Sequence, residues 1–306
     1  MSQDEPKKFQ IQNRMKKLIV PCDKLSNHMW NYSAEEYADI IKHRDRCECV
    51  EGTDKKGKVV VTPYWLGLVD DCVDLSPLNA FHREVLFHAI SAYEQGFRII
   101  TISMTLDGLS GGAEKRHVYK EQYEAIKDAF KKLATTSITI NLAPLINAYP
   151  NYKKRLTGAA ELTSPILPCK ILDAEINGQK TLTVKILDES PLMTVAKLKK
   201  QVLTYDATPL AIPNQKNTPQ IITVKNYLLR RIKLMKSSRK EKGLNNSILF
   251  KTIYENCGLA DADKWQKQDT RKIIVDTLTG FKNDGVIKNF EIEKSGGSYR
   301  SIKITP

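Results

Sequence analysis

No apolar run in this 306-residue chain approaches the roughly 18–20 residues that a membrane-spanning helix needs. Residues 1–10 are polar and charged and carry no signal-peptide core. Both absences point to a soluble, cytoplasmic protein with no membrane partner. Cysteine is scarce: Cys22, Cys47, Cys49, Cys72, Cys169 and Cys257, read as reduced thiols. Cys47-x-Cys49 lies near Cys22, His28 and His43, but the spacing is not that of a zinc knuckle, so no metal is expected. The five histidines contain no His-x-His pair, which argues against metal-dependent DNA nicking by a tyrosine. Tyr119 and Tyr123 stand i, i+4 on a helix face that reads as core. The phosphate-binding pattern G-x-x-x-x-G-K-[ST] is missing as well, since Gly108, Gly111 and Gly112 end a helix without a following Lys-Ser/Thr. Asp70, Asp71 and Asp74 read as a solvated approach to a helix cap rather than a metal site. The expectation is a protein without catalytic residues or cofactor.

Positive charge is what the chain has in excess. The net charge is +13, and it is unevenly placed. Residues 217–306 hold 18 Lys/Arg against 9 Asp/Glu, residues 75–216 hold 18 against 13, and residues 1–74 hold 12 against 13. A basic C-terminal part suits a polyanion partner, because neutralised phosphates release their counterions.

Residues 1–20 read as a loose polar arm. Ser33-x-x-Glu36 is a capping box for a short helix, and the stretches Cys47 to Val50 and Val59 to Thr62 flank a turn as a hairpin. Residues 1–74 thus form an N-terminal extension. From Leu75 a first module begins. Ser76 or Asn79 caps a helix with Phe81, Val85, Leu86, Ala89, Ile90 and Tyr93 on one stripe, and Gly96 ends it. A β-prone piece, a short helix capped by Thr101, a third helix with Tyr123, Ile126, Phe130 and Leu133, and the strand Thr136 to Asn141 follow. Residues 142–165 read as an irregular insertion. Strands Ile166 to Ile176 and Thr181 to Leu187 flank Asn177-Gly178, a strong hairpin signal, and a helix and strand carry the module to residue 205. Residues 206–220, with Pro209, Pro213 and Pro219, read as a linker.

Residues 221–306 repeat this order. Thr223 caps a helix with Leu228, Ile232 and Met235; Asn245 or Asn246 caps a second with Leu249, Ile253 and Cys257, ended by Gly258. A long helix from about Asp261 carries Ile274, Leu278 and Phe281 at i, i+4, i+7 and stops at Asp284-Gly285. A hairpin with the tip Lys294-Ser295-Gly296-Gly297-Ser298 completes it. A helix followed by a basic hairpin is the half of a winged helix that meets DNA. The fold class is therefore α+β, with tandem winged-helix domains behind an N-terminal extension.

On that reading Gln268 and Lys272 face away from the core and suit base edges or phosphates, with Lys264, Lys267 and Arg271 nearby. Lys294, Ser295, Ser298 and Arg300 belong to the wing and suit backbone contact. Arg239, Lys240 and Lys242 precede the second helix. The first module offers Lys115, Arg116, Lys120, Lys153, Lys154 and Arg155.

Two groups of residues carry a resemblance. One is Leu75-Ser-Pro-Leu-Asn-Ala-Phe-His-Arg-Glu-Val, Ala92 to Gly96, Ile126 to Leu133 and Thr136-Ser-Ile-Thr-Ile. The other is Tyr227 to Lys236, Ile248-Leu-Phe, Cys257-Gly-Leu and Phe281 to Phe290. Over residues 75–306 the chain resembles the replication initiator proteins of bacterial plasmids and related mobile elements, the Rep type built from two winged-helix domains. The resemblance implies sequence-specific binding of double-stranded DNA at repeated origin sites and recruitment of host replication proteins. It also implies a homodimer that represses its own promoter, with monomers that initiate. A winged-helix transcriptional regulator is the alternative, and a protein–protein scaffold the third.

Overall fold

The computed structural model describes residues 17–23, 26, 30, 50–54, 57–61, 63–67, 78–112, 118–141, 161–176, 179–213, 215–237, 246–295 and 297–306. It is α+β, with helices interleaved among two- and three-stranded sheets. Strands β1 (Lys17–Pro21), β2 (Val50–Asp54), β3 (Gly57–Val61) and β4 (Pro63–Gly67) come first. Helix α1 (Ala80–Glu94) begins where the Asn79 carboxamide accepts hydrogen bonds from the N–H groups of Phe81 and His82, each at 3.0 Å. His82 Nδ1 in turn accepts from the Asn79 N–H, which closes a reciprocal cap. Then come β5 (Ile99–Thr101), α2 (Ile102–Ser110), α3 (Lys120–Thr135), β6 (Thr136–Asn141), β7 (Glu161–Pro165), β8 (Cys169–Ile176), β9 (Gln179–Ile186), α4 (Pro191–Leu198) and β10 (Val202–Asp206). The last part holds α5 (Pro219–Ser237), β11 (Ser247–Leu249), α6 (Phe250–Asn256), α7 (Lys264–Asn283), β12 (Asn289–Ser295) and β13 (Ser298–Thr305).

The two halves repeat one plan. Helix, short strand, helix, helix and hairpin occur as α1, β5, α2, α3, β8–β9 and again as α5, β11, α6, α7, β12–β13. Their sheets share an order too: β5-β9-β8 in the first and β11-β13-β12 in the second. In each, the short first strand pairs with the last strand of the hairpin.

Several sequence expectations change. The arm is not loose throughout: β1 pairs antiparallel with β10, Leu18 and Val20 are buried, and Ser91 Oγ bridges the N–H and carbonyl of Ile19. The insertion ends in a strand, since β7 pairs with β6, whose other edge takes β4. The stretch read as a linker, residues 206–220, anchors some of its side chains. Leu210 and Ile212 are buried, a Cβ on Gly280 would meet Ile212 at 3.1 Å, and one on Gly111 would meet the Ala211 nitrogen at 2.5 Å. Helix α5 starts at Pro219, one turn before Thr223, with the Thr218 hydroxyl accepting from the Ile221 N–H; Thr223 is interior and buried. Pro suits that first helical position, where its missing N–H costs nothing. Ser247–Leu249 is strand, not helix, because Ile248 pairs with Ile302; α6 starts only at Phe250. Tyr119 lies at the N-cap of α3 and is 66% exposed, so it is not core, whereas Tyr123 is buried and donates to Asp173 Oδ1 at 2.9 Å. The helix at Ser33, the Cys47-x-Cys49 pair and Asp70, Asp71 and Asp74 lie outside the described residues.

Helix α1 is buried nearly all round, from Ala80 to Ala92, and its polar residues make the junction between the halves. Glu84 Oε1 accepts from Arg83 Nε at 2.9 Å and Nη2 at 2.8 Å, and from Arg230 Nη2 of α5 at 3.1 Å. Its Oε2 accepts from Arg230 Nη1 at 2.9 Å. Arg83 Nη2 also donates to the Asn256 carbonyl of α6 at 3.0 Å. All three side chains are buried. Burial pushes the Glu84 carboxyl up, but Arg230 and Arg83 outweigh it and hold the group below its ordinary value.

Candidate nucleic-acid interface

Helix α7 is set by its inward stripe. Thr270, Ile274, Thr277, Leu278 and Phe281 are buried, and Gln220 Nε2 of α5 donates to Thr270 Oγ1 at 2.9 Å. The helix opens on Asp263, whose carboxylate accepts from the Gln266 N–H at 2.8 Å while Gln266 Oε1 accepts from the Asp263 N–H at 3.1 Å. It closes at Asp284, followed by Gly285 at φ +68. With the inward stripe fixed, the 3.6-residue period decides what faces outward. Gln268 and Lys272 are exposed, as the sequence predicts, and Lys264 is exposed on the first turn. Lys264, Lys267 and Arg271 run at i, i+3, i+7 along one flank, and Arg271 meets the hairpin. Asp269 and Asp276 are exposed on the opposite flank, so the positive face is one-sided.

The flank meets the hairpin through aromatic rings. Lys267 Nζ lies 5.9 Å from the centre of the Tyr254 ring of α6. The Tyr254 hydroxyl donates to the Lys267 carbonyl at 3.5 Å, and burial raises its pKa against the opposing pull of Arg271. The Arg271 guanidinium stands 4.8 Å from the centre of the Tyr299 ring on β13, and Lys294 Nζ of β12 stands 4.8 Å from that same ring. Phe250 meets Tyr299 edge-on at 5.5 Å and Tyr254 at 6.2 Å. Helix, hairpin and α6 thus join in one cluster of cations on ring faces.

A bulge shapes the hairpin. Glu293 pairs with Ser301 but Lys294 pairs with Tyr299, so Arg300 is the extra residue on β13. A bulge bends and twists the strand locally, which re-aims the side chains beyond it. Lys294, Ser295, Ser298 and Arg300 are exposed, and Gly297 turns the tip at φ +78.

The structure therefore brings Lys264, Lys267, Gln268, Arg271, Lys272, Lys294, Ser295, Ser298 and Arg300 onto α7 and the adjoining hairpin. Lys120 is exposed at the start of α3, apart from them. Near it, Gln122 Nε2 donates to the Asn217 carbonyl at 2.8 Å, so the segment before α5 lies against that helix start. Lys115, Arg116, Lys153, Lys154, Arg155, Arg239, Lys240 and Lys242 lie outside the described residues. Sequence reasoning missed Phe250, Tyr254 and Tyr299, and also Trp265, which is 73% exposed on the first turn of α7. A signal for Trp265 was available: it falls on the outward side of the stripe Ile274, Leu278, Phe281. Among the described residues no group of three or more His, Cys, Asp or Glu is placed to hold a metal, and no helix is long and apolar enough to cross a membrane. No family model, curated protein or solved structure matches the chain.

Proposed function

We propose that the chain is a sequence-specific, double-stranded-DNA-binding replication initiator of a plasmid or mobile element, built on two winged-helix units. The second unit reads DNA: α7 enters the major groove and the β12–β13 hairpin lies along the backbone. The observation that carries the DNA reading is the one-sided basic flank of α7 joined to Lys294 through Tyr299. A long amphipathic helix with a polar outward face fits the groove, and the cations beside it meet phosphates. The repeated element order and sheet order of the two halves support the tandem reading. The replication role rests on the resemblance of residues 75–306 to plasmid initiators, which also suggests host replication proteins and a second copy of the chain as partners.

The test uses DNA flanking the chain's own gene. Footprinting should show protection of tandem repeats, and the protein supplied in trans should maintain a reporter plasmid carrying that DNA. Protection of one palindrome without plasmid maintenance would favour a transcriptional regulator. No protection at any concentration would remove the DNA reading.

A further inference from the structure

Tyr299 presents its ring to two cations that come from different elements. Arg271 belongs to α7 and Lys294 to β12, and each charge lies 4.8 Å from the ring centre. The two charges are thus within twice that distance of one another. Among the described residues neither is ion-paired to a carboxylate. Like charges so placed repel, and a carboxylate between them would be the ordinary remedy. A ring face attracts both without neutralising either. Glu293, the nearest acid in sequence to Lys294, is engaged instead by the Ser301 hydroxyl.

We propose that Tyr299 is a positioning residue that holds Arg271 and Lys294 as one clamp for two successive phosphodiesters of a single DNA strand, where α7 meets the hairpin. The proposal rests on the DNA-binding reading above and specifies how helix and hairpin share one strand. Phosphates of one strand follow each other every ~3.4 Å of helix axis, so a pair of cations this close serves neighbouring phosphates rather than distant ones. Arg271 keeps capacity for the ligand, because a guanidinium has five N–H donors and a ring face occupies none of them. Phe250 against the edge of Tyr299 fixes the ring in turn. The bulge at Arg300 sets Lys294 directly across from Tyr299, the register in which the ammonium reaches the ring.

The experiment measures binding of the full chain to a duplex taken from the DNA flanking its gene, over a series of salt concentrations. The variants are Tyr299→Phe, Tyr299→Leu, Arg271→Gln/Lys294→Gln, and that double change combined with Tyr299→Leu. Tyr299→Phe keeps the ring and should match the wild type. Tyr299→Leu keeps every charge, yet affinity should fall by about tenfold and the salt dependence should flatten. The double charge variant should lose about 1.8 from the slope of log K against log salt, at about 0.9 per phosphate. Adding Tyr299→Leu to it should change nothing further. Tyr299 is partly exposed, and thermal melts of each variant separate lost binding from lost fold. If Tyr299→Leu binds as the wild type does, with the same slope, the clamp is overturned and the DNA reading stands. A wild-type chain that binds no duplex at low salt overturns that reading and the clamp with it.

Discussion

Replacing Glu84 with Gln keeps the shape of the junction between α1 and α5 and removes the negative charge at its centre. The carboxylate accepts four hydrogen bonds from Arg83 and Arg230, at 2.8–3.1 Å. An amide accepts on one atom and donates from the other, so at least one guanidinium N–H then faces an N–H. Two buried cations are also left without their counter-charge. Removing one partner of a buried pair costs about 3–5 kcal/mol, and Glu84 serves two partners, so the upper end, about 5 kcal/mol, is expected. For a chain of this size that corresponds to a fall in Tm of roughly 10 °C or more. Urea denaturation followed by circular dichroism gives the free energy, and calorimetry gives the Tm. A cycle with Arg230→Met sharpens the test: Glu84→Gln combined with Arg230→Met should cost less than the two separate losses together, by more than about 1 kcal/mol. A Glu84→Gln variant within about 1 kcal/mol of the wild type would refute the account of the junction.

Mild acid should destabilise the fold through two buried histidines. His88 is buried, and desolvation lowers its pKa from 6.5 to about 3; burial and Lys132 lower that of His82 to about 4 against the opposing pull of Asp128. Both bind protons more readily when unfolded, so their stability is present above pH 6.5 and is lost as pH falls toward those lower values. At pH 5 each should cost about 2 kcal/mol, and equal urea midpoints at pH 7.5 and pH 5 would count against it. Gly108→Ala should cost about 1–3 kcal/mol, because the new Cβ would lie 2.2 Å from His88 Nδ1, and a neutral result in the same melts would show that the ring can move. Trp265→Ala should leave stability within about 0.5 kcal/mol, since the indole is exposed, while weakening duplex binding. Unchanged binding would take Trp265 out of the interface.

Periodicity made much of the second half legible. The stripe Ile274, Leu278, Phe281 fixed which side of α7 faces the core, and hence that Gln268 and Lys272 face out. Asp284-Gly285 and the Gly-rich tip located the helix end and the turn correctly, because each reflects local backbone preference. What stayed hidden was decided between distant segments. Ser247–Leu249 has no strand pattern long enough to recognise; it is a strand because β13 lies beside it. The partner of β1 is about 185 residues away, so a polar-looking arm gave no hint of pairing. Arg83 and Glu84 lie off the apolar stripe of α1, and their burial is explained only by Arg230, which α5 brings to them. The basic residues of the candidate interface were visible as charge, but the ring between Arg271 and Lys294 was not. Tyr299 looks like an ordinary strand residue, and only the bulge at Arg300 puts Lys294 across from it.

The most direct test of DNA binding by the second unit is the salt dependence of affinity for DNA flanking the gene, compared between the wild type and a variant with Gln268, Arg271 and Lys272 changed to Ala. Steep salt dependence and sequence preference are expected in the wild type. In the variant the preference should vanish, and the slope should be shallower by about 1.8, for two lost cations at about 0.9 per phosphate. Equal slopes and equal preference in the two proteins would contradict DNA binding by the second unit.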